Sequence, residues 1–330
     1  MRIAQRGTSA VTSSVSSQYP VDRWICLNNS SNTITFQQST VVPAGFINSI
    51  KATVTSGGSS YSASQYTFLY QKIEGFNTAD LAYGSSSAKT VTVSFWVQSS
   101  VTGTYTSVLE NSTGTQNYIA PFTINVANTW EYKTIQIPGS TSGTWLTDNG
   151  IGLSFYIVLG SGTSYENTPN VWTSGKYSVS GSVDLGATNG ATFYLTGVQL
   201  EVNTQQTPFE QRPIGVELQL CQRYYVDPVT YLGQAAGIGY GGASAYWFIA
   251  YWQTPVPMRI NPNVSGFSTS TLQYTNTAGN GAAVTSVLTS GSITPMRFYV
   301  IYGVSGYTTG QVMNLSFSGA ANSVSVSAEL

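Results

Sequence analysis

Seven acidic side chains, Glu74, Asp80, Glu110, Glu131, Asp148, Glu166 and Asp184, are spread over the first two thirds of the 330-residue chain. Two carboxylates facing one another could cleave a glycosidic bond, one as acid and one as nucleophile or base. Nothing in their spacing pairs any two of them, so each is expected to be a turn residue or the partner of a nearby lysine. The chain has no histidine. This removes histidine-dependent nucleophilic triads and His-ligated zinc sites. GIGYGG at 237–242 lacks the Lys-Ser/Thr of a phosphate-binding loop and precedes a strand rather than a helix, so it is read as a turn. The chain is expected not to be an enzyme.

Binding a sugar without cleaving it asks for less: an aromatic plane with amides and hydroxyls around it. Trp145 in GTWLTDNG and Trp172 in NTPNVWTSGKY lie in stretches rich in Asn, Thr and Ser. Tyr165 is a further stacking candidate, and Asp148, Asn149 and Glu166 supply polar groups. The competing reading is that these rings pack over the ends of a sheet. Trp96 and Trp130 fall inside strand patterns and are expected in the core.

The elements that must position these residues are strands. Charged residues make up 8% of the chain and aromatics 13%, with 33 glycines. Abundant Thr, Val, Tyr and Gly is a β-sheet composition. Thr90–Gln98 alternates Val91, Val93, Phe95 and Val97 with Thr92, Ser94 and Trp96, a half-buried pattern. Further runs at 24–27, 33–37, 47–54, 67–73, 104–110, 116–125, 129–137, 151–159 and 192–202 are separated by Asn, Ser and Gly turns. Many short strands with almost no helix predict an all-β sandwich.

In FYLTGVQLEVNTQQTPFEQRPIGVELQLCQRYY (193–225) a strand alternates Phe193, Leu195, Gly197, Gln199 and Glu201 with Tyr194, Thr196, Val198, Leu200 and Val202, and the alternation stops at the polar turn NTQQTP. Pro213 suits the first turn of a helix, and Leu218, Cys221 and Tyr225 then share one helical face. The expected layout is a jelly roll over 1–212, a linking helix over 213–225 and a smaller β-sandwich domain over 226–330. The run Tyr246–Trp252 is aromatic on both faces and must be covered twice. Leu218, Cys221, Tyr225, Trp247 and Trp252 are accordingly the candidates for contact between chains.

The formal net charge is −1, which gives no broad positive field for nucleic acid. No apolar run reaches membrane-spanning length, and MRIAQRGTSA lacks an apolar signal core, so no membrane insertion or export signal is expected. Cys26 and Cys221 are the only cysteines and are expected to be buried free thiols.

The junction GVQLEV, TPFEQRP, ELQLCQRYY resembles one common in bacteriophage and prophage structural proteins. There a jelly roll similar to carbohydrate-binding modules precedes a small C-terminal β domain. VTVSFWVQSS, NTWEYKTIQIPG and GATFYLTGVQLEV are similar to strands of that jelly roll. The resemblance implies a homotrimeric virion component, a head fibre, a decoration protein or a short tail fibre, that contacts other virion proteins and host-surface glycans. A dedicated receptor-binding tail protein is the alternative, and a glycan depolymerase a second. No organic cofactor is implied. Related modules hold a structural calcium between first and last strands, which makes Glu201 a candidate ligand, although Met1 stands where those proteins continue into an acidic strand.

Overall fold

The computed structural model describes residues 1–227, 238–241, 247–266, 272–276, 281–283, 286–303, 313–317 and 325–330. The chain divides into two compact units, Met1–Arg212 with Leu330, and Pro213–Glu329. Among the described residues the protein is all-β apart from one α-helix and a few single 3-10 turns. Among the described residues no helix is long and apolar enough to cross a membrane.

The first unit holds thirteen strands: β1 (Val11–Thr12), β2 (Gln18–Val21), β3 (Trp24–Asn28), β4 (Thr33–Ser39), β5 (Ser49–Ser56), β6 (Tyr66–Glu74), β7 (Val91–Ser99), β8 (Gly103–Glu110), β9 (Asn117–Ile124), β10 (Glu131–Ile137), β11 (Ile151–Ser161), β12 (Trp172–Thr173) and β13 (Thr192–Glu201). They form two sheets, ordered β1-β4-β5-β13-β7-β10 and β12-β9-β8-β11-β6-β3-β2, with every pairing antiparallel. The core between the sheets takes alternate residues from each strand. Ile34 and Phe36, Val91 through Val97 at odd positions, and Leu153, Phe155 and Ile157 are all buried there. Fully burying a side chain such as Phe95 contributes about 2–3 kcal/mol. That burial fixes the register, since a one-residue slip would turn Val91, Val93, Phe95 and Val97 to solvent.

β11 differs. Its sequence, IGLSFYIVLGS, is apolar on both faces, and a second cluster forms on the outer side of its sheet from Ile25, Phe68, Tyr70, Val108, Ile119, Tyr156 and Val158. The segment that leaves β11 folds back over this face, where Tyr177 and Val179 pack on the cluster. We call residues 162–183 the strap.

The alternation expected to carry through β13 breaks at Gly197. The pairing with β7 shifts register between Thr196 and Gln199, and Gly197 has φ +59°. A Cβ there would lie 2.6 Å from Phe46 Cζ, so only glycine fits both the bulge and the ring. After the bulge Leu200, not Gln199, packs on the core. Gln199 and Glu201 instead bind the turn that follows: Glu210 N–H donates to Gln199 Oε1 (2.9 Å), and Thr207 N–H and hydroxyl donate to Glu201 (2.8 and 2.7 Å).

In the second unit α1 (Ile214–Gln222) follows Pro213, with Glu217 in its first turn. The helix ends three residues earlier than the spacing suggests. Tyr225 opens β14 (Tyr225–Val226), and its β-prone Tyr-Val pair joins a sheet with β17 (Asn263–Ser265) and β23 (Ser325–Ser327). A second sheet contains β15 (Ile238–Gly241), β16 (Trp247–Gln253), β18 (Leu272–Asn276), β19 (Gly281–Ala283), β20 (Ser286–Thr294), β21 (Arg297–Gly303) and β22 (Met313–Phe317). Their order is β19-β18-β22-β15-β16-β21-β20. Cys221, Tyr225 and Trp252 are buried. They are therefore not available to a neighbouring chain as expected. The exposed apolar residues of α1 are Ile214, Val216 and Leu220, and Leu218 is half-buried. The side chain of Trp247 lies outside the described residues.

Candidate functional site

Trp145 and Trp172, 27 positions apart, meet at one end of the first unit. Their ring centroids are 5.6 Å apart at 85°, and Tyr83 stands edge-on to both, at 4.8 and 5.9 Å. Tyr118 closes the group at 5.3 Å from Trp172. Two elements bring them together. The two-residue strand β12 pairs Trp172 with Tyr118. The loop 139–146 is tied down where Gly84 N–H donates to Ser140 O (2.7 Å) and Asn111 Nδ2 to Thr144 O (3.1 Å). Both indole N–H groups are used locally, Trp145 to Ser142 O and Trp172 to Pro138 O, each at 3.0 Å.

Both tryptophans are half-buried and rest on the core. Around them lie uncharged donors and acceptors: Ser140 and Ser142 each donate to Gln116 Oε1 (3.3 Å), and Asn111 Nδ2 donates to Thr115 Oγ1 (3.0 Å). The Tyr83 hydroxyl is shielded from solvent and has no hydrogen-bond partner. Burial alone pushes its ionisation far up, so it stays a neutral donor.

The other expected sugar ligands separate. Tyr165 belongs to the strap, edge-on to Tyr66 at 5.6 Å and 5.9 Å from Tyr177. Asp148 is exposed and turns back on itself, its Oδ1 accepting from Gly150 N–H (2.7 Å), with Asn149 half-buried between them. Glu166 is half-buried on the strap, in a backbone bridge with Ser178. Tyr165 and Glu166 thus belong to the strap, and Asp148 to its own turn.

Two groupings were not anticipated. Under the strap, Glu110 is 6% exposed and its carboxylate takes three hydrogen bonds. Tyr156 donates to Oε2 (2.5 Å), and Tyr177 and Asn117 Nδ2 donate to Oε1 (2.6 and 2.9 Å). Tyr70 stacks on Tyr156 at 4.7 Å and 8°. Burial, then the adjacent Glu110, pushes both Tyr156 and Tyr177 far up, so both remain donors. The second grouping corrects an expectation. Trp96 and Trp130 are not core: Trp96 lies 5.2 Å from Tyr132, and Trp130 6.1 Å from Tyr194, on the outer side of the first sheet. The signal was present in β7, where an inward Val-Val-Phe-Val set must turn Trp96 outward beside Thr92, Ser94 and Gln98.

Asp184 and Glu201 are committed to local structure. Asp184 accepts from the N–H groups of Tyr61 and Ser161, both at 3.3 Å, while burial raises its pKa. For Glu201, burial works upward, but the bonds from Thr207 and Gln199 prevail and lower it. With both its oxygens serving the 203–207 turn, Glu201 does not fit a calcium ligand. Among the described residues no group of three or more Cys, Asp or Glu is placed to hold a metal ion. Cys26 and Cys221 are buried thiols that form no disulfide, and burial pushes the Cys26 thiol up to about 12.

Glu131 is the acid with a usable pH signature. Burial pushes upward, but Lys133 Nζ at 2.6 Å, the N–H groups of Val126 and Asn125, and the Asn125 amide outweigh it and hold its pKa at about 2. A lowered folded-state pKa gives stability that is present above the ordinary glutamate range and lost as pH falls through the folded value. Glu131→Gln is therefore expected to cost about 1 kcal/mol at pH 7, most of the full shift being screened by solvent. In urea titrations the gap from the parent protein should close as pH falls from about 4.5 toward 2. A gap that widens in acid would contradict the assignment.

No protein-family profile and no curated protein matches the chain. Several solved structures are similar to it. One is the enzymatically active domain of bacteriophage CBA120 tailspike protein 4, at 10% identity over 55% of this chain with a TM-score of 0.31, and this chain spans 19% of that one. Another is a family 11 carbohydrate-binding module from Clostridium thermocellum in complex with a β-1,3-1,4-mixed-linked tetrasaccharide. It is 13% identical over 59% of this chain and 96% of its own, with a TM-score of 0.30. A third, TmCBM61 in complex with β-1,4-galactotriose, is 10% identical over 55% and 88%, with a TM-score of 0.28. Likenesses of this size carry no functional argument.

Proposed function

We propose that the protein is a non-enzymatic appendage of a phage particle, a head fibre, decoration protein or short tail fibre, whose first unit binds host-surface glycans. The observation that carries the glycan reading is the meeting of Trp145 and Trp172. Two half-buried indoles meet beside Gln116 and Ser142, whose side chains reach the surface. Such a group offers apolar edges to sugar C–H faces and neutral polar groups to sugar hydroxyls. The non-enzymatic part is supported by the acids themselves. Glu110, Glu131, Asp184 and Glu201 each spend their oxygens on the fold. The virion setting is supported by the sequence resemblance across 193–225, which also implies a homotrimer. The exposed Ile214, Val216 and Leu220 of α1 suit that assembly.

On a glycan array the parent protein is expected to bind a defined subset of glycans, and Trp145→Ala/Trp172→Ala to lose at least tenfold in affinity, about 1.4 kcal/mol. Binding unchanged in that variant would remove the site. Shortening of a bound polysaccharide would overturn the non-enzymatic reading, and a monomer mass by light scattering the trimer.

A further inference from the structure

The outer side of the first sheet carries flat rings where polar residues would be ordinary. Pairing sets Lys51 opposite Tyr194, Tyr194 opposite Gln98, and Tyr132 opposite Trp96, so these side chains share one face across β5, β13, β7 and β10. Trp130 joins them through its contact with Tyr194, and Lys51 Nζ lies 5.7 Å from the Tyr194 ring centroid. The adjoining part of this face is closed. Thr92 donates to Asn203 O, Thr196 to Asn48 O and Gln136 to Thr204 O, and Phe46 covers Gly197. The strip is not closed in this way: Tyr132 is 37% exposed, and Trp96, Gln98, Trp130 and Tyr194 are half-buried.

A polar atom in the strip lacks its counterpart. Gln98 Oε1 is shielded from solvent and accepts no hydrogen bond. A rotation of the Gln98 amide toward the open strip would present this acceptor to a ligand hydroxyl.

We propose that this strip is a second binding platform, for a neutral oligosaccharide lying across the strands. Its rings offer stacking surfaces, and Gln98 with the Lys51 ammonium offers bonds to hydroxyl groups. A single cation does not recognise a polyanion, which needs several. Four strands set about 4.8 Å apart give the strip a length of roughly 14 Å, room for several sugar units rather than one. The inference rests on the glycan reading above but on different residues, so the two can fail separately.

The test titrates the full-length chain with short neutral gluco-, xylo- and galacto-oligosaccharides, read by calorimetry and tryptophan fluorescence. The parent, Trp130→Ala/Tyr194→Ala and Trp145→Ala/Trp172→Ala are compared. The outer-face variant is expected to bind one class of ligand at least tenfold more weakly, while the sandwich-end variant keeps that affinity. Tyr132→Ala, the exposed ring and the least able to disturb folding, should show the same loss at about threefold. Binding lost only in the sandwich-end variant overturns the platform and leaves the glycan reading intact. No binding by the folded parent overturns both. A change in sedimentation of the outer-face variants, with sugar affinity unaltered, would make the strip a contact between copies and also overturn the platform.

Discussion

Glu110→Ala is expected to destabilise the first unit by about 3–5 kcal/mol, because it removes one buried acceptor that serves three donors. The two phenols and the Asn117 amide converge on that carboxylate from three separate segments, and each donor left without an acceptor costs about 1–3 kcal/mol before relaxation. Tyr156 is nearly fully buried and cannot turn to water, whereas Tyr177 sits on the strap and can leave with it. The loss should therefore appear twice, as a lower urea midpoint and as a weaker near-ultraviolet dichroism signal from the stacked tyrosines. Glu110→Gln keeps an acceptor oxygen and should cost less, about 1–2 kcal/mol. A midpoint for Glu110→Ala equal to that of the parent would mean that the strap is held by its apolar contacts alone.

The strap's entry point gives the second large effect. Gly162 has ordinary extended backbone angles, φ −79° and ψ 172°, so an alanine there meets no torsional penalty. Its Cβ would nevertheless stand 1.9 Å from Ser62 O and 2.6 Å from Ala63 O. Those are backbone atoms of the segment to which Gly162 donates, through Gln65 O at 2.8 Å. One side must move, and overpacking of this kind costs about 3 kcal/mol. For a unit of this size Gly162→Ala should lower Tm by roughly 6–12 °C. It should also open residues 163–183 to limited proteolysis before the rest of the unit is cut. A Tm within a degree or two of the parent, with an uncut strap, would contradict the close approach.

How much of this was legible in the sequence can be traced residue by residue. β7 was legible in full, because a period of two with four strong apolar residues leaves one arrangement. The same period carried the position of Trp96. Reading tryptophan as core because it fell inside a strand pattern, rather than outer by its parity, hid a half-exposed aromatic face. The β11 run showed that its strand is covered on both sides, but not by what. The cover arrives from the strap, whose loop-like composition carries no period. Glu110 gave no local sign at all, since its partners are at 117, 156 and 177. The convergence of Trp145 with Trp172 had the same character: the residues were visible, their contact depends on β12 and the 139–146 loop. At Gly197 and at Tyr225 a period extended one step too far, past a bulge in one case and into a strand in the other. Of the acids suspected of calcium or catalytic duty, Glu110, Glu131, Asp148, Asp184 and Glu201 accept hydrogen bonds within the fold, contacts that carry no sign in the sequence.

The central claim is that the first unit holds carbohydrate without altering it. The most direct measurement is a glycan array probed with the folded, full-length parent protein, followed by recovery and sizing of the glycans that bind. A reproducible subset of glycans, retained at unchanged length, is the result expected here. A blank array from folded protein, or bound glycans recovered shorter than they were applied, would contradict it.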